Sequence, residues 1–176
     1  MPRRISVMQM TEVQYVRSRW FEDIPVGEFH VFGTHTFSER DILDFSSRYG
    51  SDHSQSADTP RTARIHRNII ASEWHVVAIW MRLMVAYMNR LTTHINDGRR
   101  NGAGVCIANL DWLEPVRPGH TLTYTYEITA KKPKLIRNKW SIIRSHNEAI
   151  NQYGECVLTF DVDILAERNP AGLSPP

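Results

Sequence analysis

The stretch IIASEWHVVAIWMRLMVAYMNRLTTH, Ile69 to His94, decides how the rest of the chain is read. Ile70, Trp74, Val77, Met81, Met84, Met88 and Leu91 recur at steps of three and four, the spacing of one helical face. Val76, Ile79, Trp80, Leu83 and Tyr87 make other faces apolar as well. A helix that is apolar around so much of its circumference belongs inside a protein rather than on it. At a rise of about 1.5 Å per residue, it would run for about 40 Å, which predicts the axis of the domain.

The flanking segments predict what surrounds that axis. Upstream, EFHVFGTHTF (Glu28 to Phe37) follows the turn signal Pro25-Val26-Gly27 and reads as a first strand. Ser38 then offers an N-cap, with Glu39 and Asp41 in the first turn and Ile42, Leu43 and Phe45 as an apolar stripe, so a short helix should run to about Tyr49. GSDHSQSADTP (50–60) holds almost nothing apolar and predicts a surface loop or the wall of a polar site. Downstream of NDGRRNGAG come four strand-like segments, Val105 to Leu113, His120 to Ala130, Arg137 to Asn147 and Tyr153 to Ala166, with turns at Pro115 to Gly119 and Asn147 to Asn151. Thr121, Thr123 and Thr125 alternate with Leu122, Tyr124 and Tyr126, the period of a sheet with unlike faces. The order predicts an α+β domain with an antiparallel sheet wrapped around one long helix.

The 176 residues amount to one domain at roughly 150 residues each. Residues 1–18 read as an N-terminal extension, 19–168 as the single domain and 169–176, rich in Pro, as a flexible tail. A net charge of +2 is too small for the electrostatic footprint of general nucleic-acid binding, so no nucleic acid is expected. The longest strongly apolar run without a charge, Trp74 to Met81, falls far short of the roughly 20 residues that cross a bilayer, so no membrane partner is expected. MPRRISVMQM lacks the apolar core of a secretory signal, and a cytoplasmic location follows as an expectation. Cys106 and Cys156 are too far apart for a CxxC site and read as buried reduced thiols. The eight His residues form no ligand pair at helical spacing, and no metal is expected.

Three segments in order, WFEDIPVGEFH, IASEWHVVAIWMRLM and LDWLEPVRPGHTLTYTYEI, resemble the MaoC-like dehydratase and hydratase family, which has the hotdog fold. The likeness spans Trp20 to Glu167. It implies addition of water to, or its removal from, acyl thioesters on coenzyme A or acyl carrier protein, with the thioester as substrate and no separate cofactor. It also implies a homodimer or higher homo-oligomer, and the unpaired edges of a lone sheet favour association on physical grounds. The family's chemistry uses an Asp and a His in the pattern D-x4-H, in the loop after the short helix. Water must be deprotonated on one side while a proton reaches the α-carbon. A backbone N–H at the start of the long helix can receive the thioester oxygen as charge builds.

This chain departs from that pattern. An ungapped match anchored on Tyr49 and SEWH puts Gly50 at the Asp position and Gln55 at the His position, so both titrating groups are missing. Arg67, Asn68 and Glu73 stand where relatives often have glycines. Asp52 and His53, in the same loop, are candidates for a shifted pair, or else a solvated turn. Gln55 can orient water but not accept its proton. Ser72 can bond a thioester or the catalytic loop, or cap the helix. The N–H of Glu73 is a candidate oxyanion donor. Its carboxylate is a candidate nucleophile or base of a hotdog thioesterase, or simply complements the helix dipole. His75 reads as a satisfied core residue rather than a base, and Trp74 and Trp80 as packing. Arg61, Arg64 and Arg67 are candidates for the phosphates of coenzyme A, or a solvated face. The readings left open are an altered hydratase or dehydratase, a thioesterase using Glu73, and a non-catalytic acyl-CoA-binding or partner subunit.

Overall fold

The computed structural model describes residues 20–49, 69–92, 102–136 and 139–170. A short 3-10 turn, Phe21–Asp23, leads into β1 (Phe29–Thr36), α1 (Glu39–Tyr49) and α2 (Glu73–Thr92). Four strands follow: β2 (Gly104–Trp112), β3 (Thr121–Ile136), β4 (Trp140–Ile150) and β5 (Cys156–Glu167). The sheet has the order β1-β3-β4-β5-β2, with each neighbouring pair antiparallel. This is the α+β architecture that the alternation of periods predicts, a sheet against one long helix.

Alternation along β4 shows why the helix lies where it does. Ser141, Ile143, Ser145, Asn147 and Ala149 are buried, and the residues between them are partly exposed. The buried set faces the same side as Leu122 and Tyr124 of β3 and Phe160 of β5, and α2 covers that side with Val76, Ile79 and Trp80. Trp80 meets Phe160 edge-on at 4.9 Å, and its indole Nε1 donates to Asn147 Oδ1 at 3.2 Å. The Tyr124 hydroxyl donates to the carbonyl of Val76 at 3.2 Å, and burial pushes the phenol pKa up. Helix and sheet are therefore joined by polar bonds as well as by apolar contact.

Several expectations need correction. The long helix starts at Glu73 rather than Ile69, because Ala71 N–H is tied to the carbonyl of Val116 at 2.8 Å. Its 20 residues span about 30 Å rather than 40. Nor is it enclosed all round: Trp74, Met81 and Val85 are 61%, 48% and 50% exposed and share one stripe. Asn147 is not at a turn but inside β4, its amide held by Trp80 and by Ser145; the chain reverses later, at Asn151 to Glu155, where Gly154 supplies φ +84°. Cys106 is exposed rather than buried, because β2 is an edge strand, while Cys156 is half-buried. No described helix is long and apolar enough to cross a membrane.

Candidate functional site

Two helix starts and one strand end converge beside the sheet. At the start of α1, Asp41 N–H donates to Ser38 Oγ at 3.1 Å, and Ser38 N–H donates to Asp41 Oδ2 at 3.3 Å, a reciprocal cap. The bond to Ser38 is the main cause that holds the Asp41 carboxyl below its ordinary value. At the start of α2, the Ser72 carbonyl accepts from the N–H groups of His75 and Val76 at 2.8 and 3.3 Å, so Ser72 sits at the N-cap. His75 then projects toward α1, and His35 comes from β1.

Between α1 and α2 lies a cleft of about 240 Å³. Asp41, Asp44, Phe45, Arg48 and Tyr49 line it from α1, His75, Ile79 and Arg82 from α2, and His35 from β1. His75 is 5% exposed, its ring stacked on Phe45 with centroids 4.4 Å apart and planes 4° from parallel. Phe37 meets it edge-on at 5.1 Å, and the same Phe37 ring meets His35 at 4.8 Å. Arg82 Nη2 donates to His35 Nδ1 at 3.2 Å. A guanidinium has only donors, so Nδ1 must be the acceptor, and neutral His35 carries its proton on Nε2.

Two nitrogens remain over. His35 Nε2 and His75 Nδ1 are shut off from solvent and have no hydrogen-bond partner among the described residues. An unpaired buried polar group costs about 1–3 kcal/mol, a cost recovered when a ligand atom meets it. Burial is the first cause that lowers the pKa of both imidazoles; Arg82 lowers His35 further, His35 and Arg82 lower His75 further, and Asp41 opposes in each case. Both rings are therefore held toward the neutral form. The cleft presents one fixed N–H donor and a second neutral imidazole, walled by aromatic rings and rimmed by charges of both signs.

The sequence candidates fall on both sides of this boundary. Asp52, His53, Gln55, Arg61, Arg64 and Arg67, together with Gly50 and Asn68, lie outside the described residues. Ser72 is half-buried and Glu73 exposed, both at the start of α2 and neither among the cleft's lining residues. Trp74 is mostly exposed, edge-on to Trp112 at 5.7 Å, whereas Trp80 is core. His75 is buried, as expected, but it is not satisfied. His35, Asp41 and Arg82 were not legible as site residues; the available signal was Arg82, the charge that ends the longest apolar run.

No family model matches the sequence, and no curated protein does. Solved structures do. A MaoC-like dehydratase from Rhodospirillum rubrum superimposes with a TM-score of 0.65 at 26% identity, covering 86% of this chain and 99% of its own. The chain has the hotdog fold of the MaoC-like dehydratases. An R-hydratase from Pseudomonas aeruginosa shares that fold at a TM-score of 0.51 and 20% identity, covering 89% of this chain and 94% of its own. A conserved hypothetical protein from Mycobacterium tuberculosis with a double hotdog fold matches at a TM-score of 0.62 and 16% identity; the match covers 90% of this chain and 47% of that one. The match thus spans about half of that protein's length.

Proposed function

We propose that the chain takes an acyl thioester into the cleft between α1 and α2 and adds water to its 2-enoyl form, or removes water from the hydroxyacyl form. The observation that carries this reading is His75: a buried imidazole, held toward its neutral form, whose Nδ1 has no partner among the described residues, lining a cleft at the start of the long helix of a MaoC-like hotdog. Water addition needs a base of that kind beside the acyl group, and Phe45, Tyr49 and Ile79 give the open, otherwise polar cleft an apolar wall for it. The dehydratase among the solved structures lends the reaction class. Coenzyme A is the carrier in this reading, and Arg61, Arg64 and Arg67, which lie outside the described residues, are the sequence candidates for its phosphates.

A second copy of the chain belongs to the proposal. The exposed stripe of Trp74, Met81 and Val85 on α2 and the exposed Val105 and Ile107 on the edge strand β2 are apolar surfaces that a homodimer would cover.

The test is an assay of the purified protein with a short 2-enoyl-CoA and with a saturated acyl-CoA. Hydration of the first supports the proposal. Thiol release from the second would favour hydrolysis through Glu73, and binding without turnover would favour a non-catalytic subunit.

A further inference from the structure

We infer that His75 and His35 do the proton work in this cleft, His75 as the base that takes and returns the proton of water and His35 as the donor to the thioester oxygen. The inference rests on the hydratase reading and deepens it, since Gly50 and Gln55 cannot titrate where the family pattern has Asp and His.

The geometry divides the two roles. His35 is fixed as an Nε2–H donor because Arg82 occupies Nδ1, and that N–H has no acceptor among the described residues. A developing enolate oxygen is the acceptor such a buried donor lacks. Among the described residues no donor claims Nδ1 of His75, and its ring is clamped between Phe45 and Phe37, so the ring plane is set while that buried nitrogen is left unpaired for a ligand atom. Both rings lean on the same Phe37, which keeps them at one end of the cleft.

The step balances with one water. Nδ1 of neutral His75 takes a proton from water as the water oxygen bonds to the β-carbon. The π pair of the carbon–carbon double bond moves toward the thioester carbonyl, whose oxygen is held by His35 Nε2–H. His75 then returns the same proton to the α-carbon, leaving the 3-hydroxyacyl thioester and a neutral imidazole. Dehydration is the reverse. Arg82 is a positioning residue, since it acts through the His35 tautomer.

The test is hydration of a short 2-enoyl-CoA by the full chain across pH. The groups facing the two rings are Asp41, Asp44 and Arg48 from α1 and Arg82 from α2. Burial and Arg82 favour the neutral rings and Asp41 opposes them, so the acid limb of kcat/KM, which reports the free protein, should lie below the ordinary imidazole value of 6.5. His75→Gln and His35→Phe should each lower kcat by about 100-fold with little change in KM, and Arg82→Met should move the acid limb to higher pH. Since His75 lies in the core, its variant is read beside its thermal midpoint, and the wild-type pH profile tests the assignment without any substitution. An active wild type with an acid limb at or above the ordinary value, or folded variants within about threefold of it in kcat, a loss far below the usual acid–base contribution, would overturn this assignment alone. A wild type that hydrates no enoyl thioester would overturn the hydratase reading and this assignment with it.

Discussion

Arg82 of α2 and His35 of β1 are joined by a 3.2 Å hydrogen bond from a guanidinium to an imidazole nitrogen. A permanent cation beside His35 disfavours the imidazolium, adding to what burial does. Arg82→Met removes the second of these causes and leaves Asp41, which acts the other way. The His35 pKa is therefore expected to rise, as read from its ring proton shifts in an NMR titration; an unchanged value would mean that the bond does not persist in solution.

The bond from Trp80 Nε1 to Asn147 Oδ1 ties α2 to the middle of β4 where Asn147 is fully buried. Asn147→Ala strips the indole of its acceptor and opens a void beside it. Loss of about 2–4 kcal/mol in denaturant unfolding is expected. A loss under about 0.5 kcal/mol, the scale of a neutral surface change, would contradict the packing.

On the outer face of the sheet, Arg144 Nε and Nη2 donate to the two carboxylate oxygens of Asp163 at 2.7 and 2.9 Å, and Lys132 Nζ adds a third bond at 2.9 Å. Hydrogen bonding from Arg144 is the leading cause that holds Asp163 at about 2, below its ordinary 3.8. A depressed carboxyl contributes stability that is whole above about pH 3.8 and fades as pH falls through about 2. Arg144→Ala should raise the Asp163 pKa and shift acid unfolding, followed by circular dichroism, to higher pH. An acid midpoint that stays in place would show that the pair contributes nothing.

Val105 and Ile107 alternate along the free edge of β2, 51% and 47% exposed. If a second copy covers them, Val105→Lys with Ile107→Lys should convert a dimer to a monomer by light scattering, while far-ultraviolet dichroism stays native. A doubly substituted protein that keeps its mass in solution would place the interface elsewhere.

The fold was legible because its signals are local. Thr121 to Tyr124 alternate between partly exposed Thr and buried Leu or Tyr in β3 as they do in the sequence, although Thr125 is buried as well, and Ser38 caps α1 as its hydroxyl suggests. Helix and strand order follow from period alone. The ends of α2 and β4 were less legible, because long-range bonds set them: Val116 holds Ala71 out of the helix, and Trp80 keeps Asn147 in a strand. The cleft was not legible at all. His35, His75 and Arg82 are separated by 40 and 7 residues, and only the register of β1 against β3 and the rotation of α2 bring them together (75 − 35 and 82 − 75). A sequence shows that Arg82 interrupts an apolar run, but not that a histidine from another strand receives it.

The central claim is that the thioester seats against His35 and His75. The most direct measurement is an NMR titration of the histidine ring signals with a short 2-enoyl-CoA. His146 serves as the internal control, because Asp161 and Thr159 already occupy both of its ring nitrogens at 2.9 and 3.0 Å on the opposite face of the sheet. Saturable shifts at His35 and His75 with a still His146 are expected. Saturable binding that moves neither His35 nor His75 would contradict it.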